Sequence, residues 1–80
     1  MPRFYFDVAD EHGMAKDQHG LILPNASAAI AEARLSARDF AIEDLRDATA
    51  IGKRKLIVRD HHNKILFECS VRDVVSDFMA

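Results

Sequence analysis

Asn25–Ala50, NASAAIAEARLSARDFAIEDLRDATA, is the longest periodic stretch in the chain, and its reading decides the fold. It holds no Gly or Pro and is rich in Ala, Leu, Glu and Arg, so local propensity favours a helix throughout. Ile30, Ala33, Ala37, Phe40, Ala41, Leu45 and Ala48 recur at helical spacing and define one apolar face. Pro24-Asn25 supplies the start, because the Asn25 side chain can accept from a free N–H of the first turn. Gly52 offers a left-handed stop, with Lys53-Arg54-Lys55 beside the negative end of the helix dipole.

The flanking segments alternate with period two. Arg3–Val8 places Phe4, Phe6 and Val8 on one face and Tyr5 and Asp7 on the other, the pattern of a half-buried strand. Ala9–His19 is polar and reads as a loop; Gly20–Pro24 is a short second strand. Beyond the helix, Lys55–Arg59 and Ile65–Val71 are two further strands. The turn Asp60–Lys64 joins them, with Asn63 suited to the left-handed position. Val71, Val74, Val75 and Phe78 then stand at i, i+3, i+4 and i+7, which predicts a short terminal helix.

The order ββαββ implies an α+β fold, a four-stranded antiparallel sheet of order 2-1-3-4 with the long helix on one face. The side chains expected toward the helix are Phe4, Phe6, Val8, Leu21, Leu23, Leu56, Val58, Ile65, Phe67, Cys69 and Val71. Two points strain this picture. A helix to Ala50 would run roughly 37 Å against strands of roughly 20–25 Å. Leu35 and Ile42, one heptad apart, lie off the main stripe, against loops or the C-terminal helix, or against another chain.

Eighty residues fit a single domain spanning 1–80, and one so small has modest stability unless it self-associates. The net charge of −2 gives no general pull toward nucleic acid or anionic membranes. One cysteine excludes an intramolecular disulfide. The absence of an apolar leader or membrane-length segment leads us to expect a cytoplasmic protein.

Three segments carry a resemblance: the opening MPRFYFD, D-x-x-G-L-x-L-P-N at Asp17–Asn25 running into the helix start at Ala29–Ala33, and V-R-D-x-x-x-K-I-L at Val58–Leu66. Together they resemble a family of short, mostly alphaproteobacterial proteins, domain of unknown function 6894, over nearly the whole chain. Asn63 departs from the glycine expected there, and the pair His61-His62 is also foreign to the pattern. The resemblance implies the architecture and brings no activity, cofactor or site. In element order alone the chain is also similar to the HicB antitoxin module, without the helix-turn-helix or ribbon arm that reads DNA.

The chemistry-bearing residues point to no reaction, and we expect a chain that is not an enzyme and holds no cofactor. His12 and His19 fall in the first loop and His61 and His62 in the last turn, at opposite ends of the sheet. His12 with Asp10, Asp17 or His19 is the best metal constellation available, weighed against a plain solvated loop. Cys69 is on the inward set, where a thiol is inert. Asp44 points near the apolar face of the helix and needs a partner, Arg34 or a backbone donor. Lys53-Arg54-Lys55, the one basic cluster, is expected to be neutralised by Asp10, Glu11 and Asp17. A regulator of HicB-antitoxin type would use it on nucleic acid.

The reading that remains is a self-associating interaction module, with no membrane contact. Tyr5, Ile57 and Leu66 are expected to form an apolar patch on the open face of the sheet, where a homodimer would form. The competing arrangement folds the terminal helix over that patch through Val74, Val75 and Phe78. Leu35 and Ile42 are the second candidate interface.

Overall fold

The computed structural model describes residues 1–47 and 53–74. The architecture is α+β. β1 (Arg3–Asp10), β2 (Gly13–Ala15), β3 (Leu21–Ile22), β4 (Lys55–Arg59) and β5 (Ile65–Ser70) form one antiparallel sheet, with α1 (Ala26–Arg46) packed on one face. Residues 71–74 turn helical directly after β5. Among the described residues no helix is long and apolar enough to cross a membrane.

The Asn25 side chain accepts from the Ala28 N–H at 2.9 Å and opens α1, a cap worth about 1 kcal/mol. The buried positions of α1 are Ala29, Ala33, Ala37, Ala41 and Asp44, so four methyl groups form its contact with the sheet. Such a face lets the helix backbone lie close over the strands. Phe40 reaches the core from the flank, but Leu45, expected on that face, is exposed. The helix ends at Arg46, giving about 31 Å, while β1 extends to eight residues, so the expected length mismatch shrinks. Ala48 and the Gly52 stop lie outside the described residues.

Two apolar clusters fill the space beneath α1. Phe4, Ala29, Ala33 and Val58 form one, with Phe6, Leu23, Leu66 and Phe67 around it. Ala37, Ala41, Leu56, Val71 and Val74 form the other, with Val8, Phe40 and Cys69. Val71 and Val74 thus join the helix side of the sheet. At the residues described, the terminal helix does not cover the open face; Val75 and Phe78 lie outside them.

The central order β2-β1-β4-β5 matches the expected 2-1-3-4 with one correction. The polar loop after β1 contains a strand of its own. β2 pairs with Val8–Asp10, and β3 pairs with Arg3 and Phe4 along the same edge of β1. Between them the register slips by two residues, so this edge strand is broken in the middle.

A second correction concerns β5. Val58 pairs with Phe67 but Arg59 pairs with Ile65, so Leu66 is an extra residue in a β-bulge. Leu66 therefore packs toward the helix, and Ile65, expected inward, turns out to solvent at 55% exposure. A bulge reverses the face of every residue beyond it.

Candidate functional site

The most organised polar constellation lies on the sheet face away from α1. Asp7, from the outward set of β1, is 1% exposed. Arg59 on the adjacent strand grips it side-on, Nε to Oδ2 at 2.6 Å and Nη2 to Oδ1 at 3.0 Å. The backbone N–H of Asp17 adds a third bond to Asp7 Oδ1 at 3.0 Å. Arg59 also donates to the Asn63 side chain and lies over the Tyr5 ring, 5.1 Å from its centroid. A buried carboxylate needs a partner of this kind, because desolvation of the lone charge would cost several kcal/mol.

Asp17 repairs the broken edge. The β1–β4 ladder uses the backbone of Tyr5, Asp7 and Ala9, so Phe6 N–H points to the gap between β2 and β3. Asp17 Oδ2 accepts that N–H at 3.2 Å, and its Oδ1 accepts from His19 and Gly20 N–H at 3.1 Å each. One side chain satisfies donors that a continuous strand would have paired. Burial pushes both Asp7 and Asp17 up. For Asp7 the Arg59 guanidinium and the Asp17 amide outweigh it, and for Asp17 the Gly20, Phe6 and His19 amides do, so both carboxyls end below the usual range. The bond to Asp7 raises Arg59 further above its ordinary value.

Around this network Met14, Lys16, Ile57, Asn63 and Ile65 line a shallow hollow of about 180 Å³. Ile57, expected in an exposed patch with Tyr5 and Leu66, is 5% exposed. Tyr5 is half-buried beside Arg59, and Leu66 has turned to the helix side. The structure does not bring these three together as an outward apolar patch. Leu35 and Ile42 are exposed on α1, as the second candidate interface requires.

The basic cluster is divided between carboxylates. Lys53 lies 3.5 Å from Glu11, and Arg54 pairs with the buried Asp44 while stacking 4.4 Å from the Phe40 ring centroid. Arg54 is thus a partner of Asp44, a residue not among those expected for it; Arg34 lies over Phe67. Asp17 sits beside Phe6 and takes no part in this cluster.

His12 is in the β1–β2 turn, where Asp10 accepts from its backbone N–H, whereas Asp17 and His19 are beyond β2. The proposed constellation is thus spread along the edge. Among the described residues no group of three His, Cys, Asp or Glu is placed to hold a metal ion. Asn63 adopts φ 66°, the left-handed position read for it.

Cys69 is half-buried against the core, and burial pushes its thiol up. The native protein is expected to react with an aqueous thiol reagent at least roughly tenfold more slowly than the urea-unfolded chain. Equal rates in the two states would place Cys69 on the solvent face.

The network draws on all three segments of the sequence resemblance: Asp7 from the first, Asp17 and Gly20 from the second, Arg59 from the third. A family model described as a domain of unknown function, DUF6894, matches residues 3–72. The chain belongs to that family. No curated protein and no solved structure matches it. In this DUF6894 chain the Asp7–Arg59–Asp17 network ties the broken edge of the sheet to its centre. Its geometry is that of a structural clamp, since the donors and acceptors described are directed at one another.

Proposed function

We propose that this chain is a non-enzymatic interaction module that self-associates. The observation that carries the reading is large apolar surface left uncovered. Leu35, Ile42 and Leu45 are 50%, 44% and 66% exposed along the outer side of α1, and Ile65 stands out from β5. The conspicuous charged groups, Asp7, Asp17, Asp44, Arg54 and Arg59, are engaged in internal bonds, which supports contact rather than chemistry as the role. A small domain gains proportionally more than a large one from burying such surface, and two-fold pairing is the commonest solution.

Light scattering coupled to size exclusion tests this directly. The expected mass is twice the 9.0 kDa of one chain, falling toward the single-chain value on dilution. A 9.0 kDa species persisting at high protein concentration would remove the proposal.

A further inference from the structure

The sheet face away from α1 differs in charge from the chain as a whole. Its exposed charged side chains are Arg3 on β1, Lys16 just past β2, Lys55 on β4 and Glu68 on β5. Asp7 and Arg59 share this face but are bonded to each other. Three cations thus stand against one carboxylate, on a chain whose net charge is −2. Among the described residues neither Lys16 nor Lys55 has an ion-pair partner. Arg3 donates to the His19 carbonyl, a neutral group that leaves its charge uncompensated.

Apolar side chains stand among these charges. Ile22, which pairs with Arg3, is exposed, as are Met14 and Ile65. Met14 and Ile65 flank the hollow of about 180 Å³, buried Ile57 and the Asp7–Arg59 pair form its floor, and Lys16 stands at its rim. That volume falls below the roughly 300–1,000 Å³ of a small-molecule site and suits a single large side chain. Arg3 lies toward one end of the face. Lys55, which pairs with Ala9, lies toward the other, about 20 Å of strand away.

We propose that this face binds an acidic segment of another protein, with one apolar side chain seated in the hollow and carboxylates reaching Lys16 and the cations at either end. Charge complementarity selects that occupant. A second copy presenting the same face would set Arg3, Lys16 and Lys55 against themselves. Pairing with the α1 of a second copy is head-to-tail, which grows without closing instead of forming a two-fold pair. Nucleic acid would use exposed aromatic rings beside the cations. Tyr5 is the aromatic side chain of this face, and it is half-buried beside Arg59, whereas the exposed apolar groups are aliphatic.

The probe is a seven-residue peptide of glutamates with one central leucine, titrated into the whole chain at low salt and followed by NMR. Amide shifts are expected at Met14, Lys16, Ile57 and Ile65. Lys16→Glu combined with Lys55→Glu, both at exposed positions, is expected to raise Kd at least roughly tenfold with an unchanged circular dichroism spectrum. Arg46→Glu, an equal charge change on α1, is expected to stay within about threefold. Replacing the central leucine with glutamate should weaken binding roughly tenfold, because the hollow then receives no apolar group. Equal weakening by Arg46→Glu would mean that binding follows net charge alone and would overturn the site. So would shifts confined to α1, or no shift at millimolar peptide. A single-stranded thymidine oligonucleotide that moves the same amides and binds more tightly than the peptide would overturn the acidic segment as occupant. None of these outcomes bears on self-association, which the scattering experiment decides.

Discussion

Replacing Arg59 with methionine is expected to lower stability by about 3–5 kcal/mol, the largest single effect we anticipate, because it strands a buried carboxylate. Asp7 is 1% exposed and takes two bonds from Arg59, so the variant keeps the apolar stem of the side chain but leaves Asp7 with the Asp17 amide alone. Urea denaturation would show a lower midpoint with little change in slope. The double variant Asp7→Asn with Arg59→Met should lose much less than the sum of the two single losses, since no charge remains buried.

The pH dependence gives an independent check. Asp7 and Asp17 bind their protons less readily folded than unfolded. Their contribution is therefore complete above about pH 4–5, where the unfolded carboxyls are ionised, and is lost as pH falls through their lower folded values. In Arg59→Met the burial of Asp7 loses its largest counterweight, so its folded value should rise toward the unfolded one. That variant should then lose less stability on acidification than the wild type. An acid profile parallel to the wild type would mean that the Asp7–Arg59 pair contributes nothing to it.

Why was this pair not read from the sequence? Asp7 falls on the polar side of an alternating strand, and such a residue reads as solvated. Its partner is 52 positions away, beyond any local pattern. A signal was nonetheless present. Asp7 and Arg59 share the outward set, and the expected order places their strands side by side, so a cross-strand ion pair followed from the topology. α1 and its Asn25 cap were legible because propensity, periodicity and capping all agree over many residues. The αL turn at Asn63 was legible for a local reason too.

The bulge was not legible. A single extra residue leaves Ile65 and Leu66 equally apolar, and only the spacing set by Arg59 and Val58 on β4 decides which turns inward. That exchange displaced the expected interface of Tyr5, Ile57 and Leu66. The split edge was missed for a related reason: β2 and β3 are too short to show an alternation, and a carboxylate performs the pairing between them.

Gly20 is where that split edge is most exposed to test. It has φ 70°, and a Cβ placed there would stand 2.8 Å from the Phe4 carbonyl oxygen and 2.9 Å from Arg3 Cγ. Gly20→Ala therefore combines two penalties. The left-handed backbone alone costs about 1–2 kcal/mol for a residue with a Cβ. The second contact can be relieved by moving a flexible side chain, but the first is with β1 backbone, which the Phe4–Leu21 pairing holds in place. Relief would have to come from the segment carrying Gly20, and its N–H would then leave Asp17 Oδ1. We expect a total loss of about 2–4 kcal/mol, with Phe6 and Leu21 amides exchanging faster than in the wild type. Gly13→Ala is the control. Gly13 also has positive φ, but a Cβ there meets nothing within 4 Å, so this variant carries conformational strain without the clash. If Gly20→Ala loses no more than the left-handed backbone alone costs and leaves Phe6 and Leu21 exchange unchanged, the close approach to Phe4 has no energetic weight.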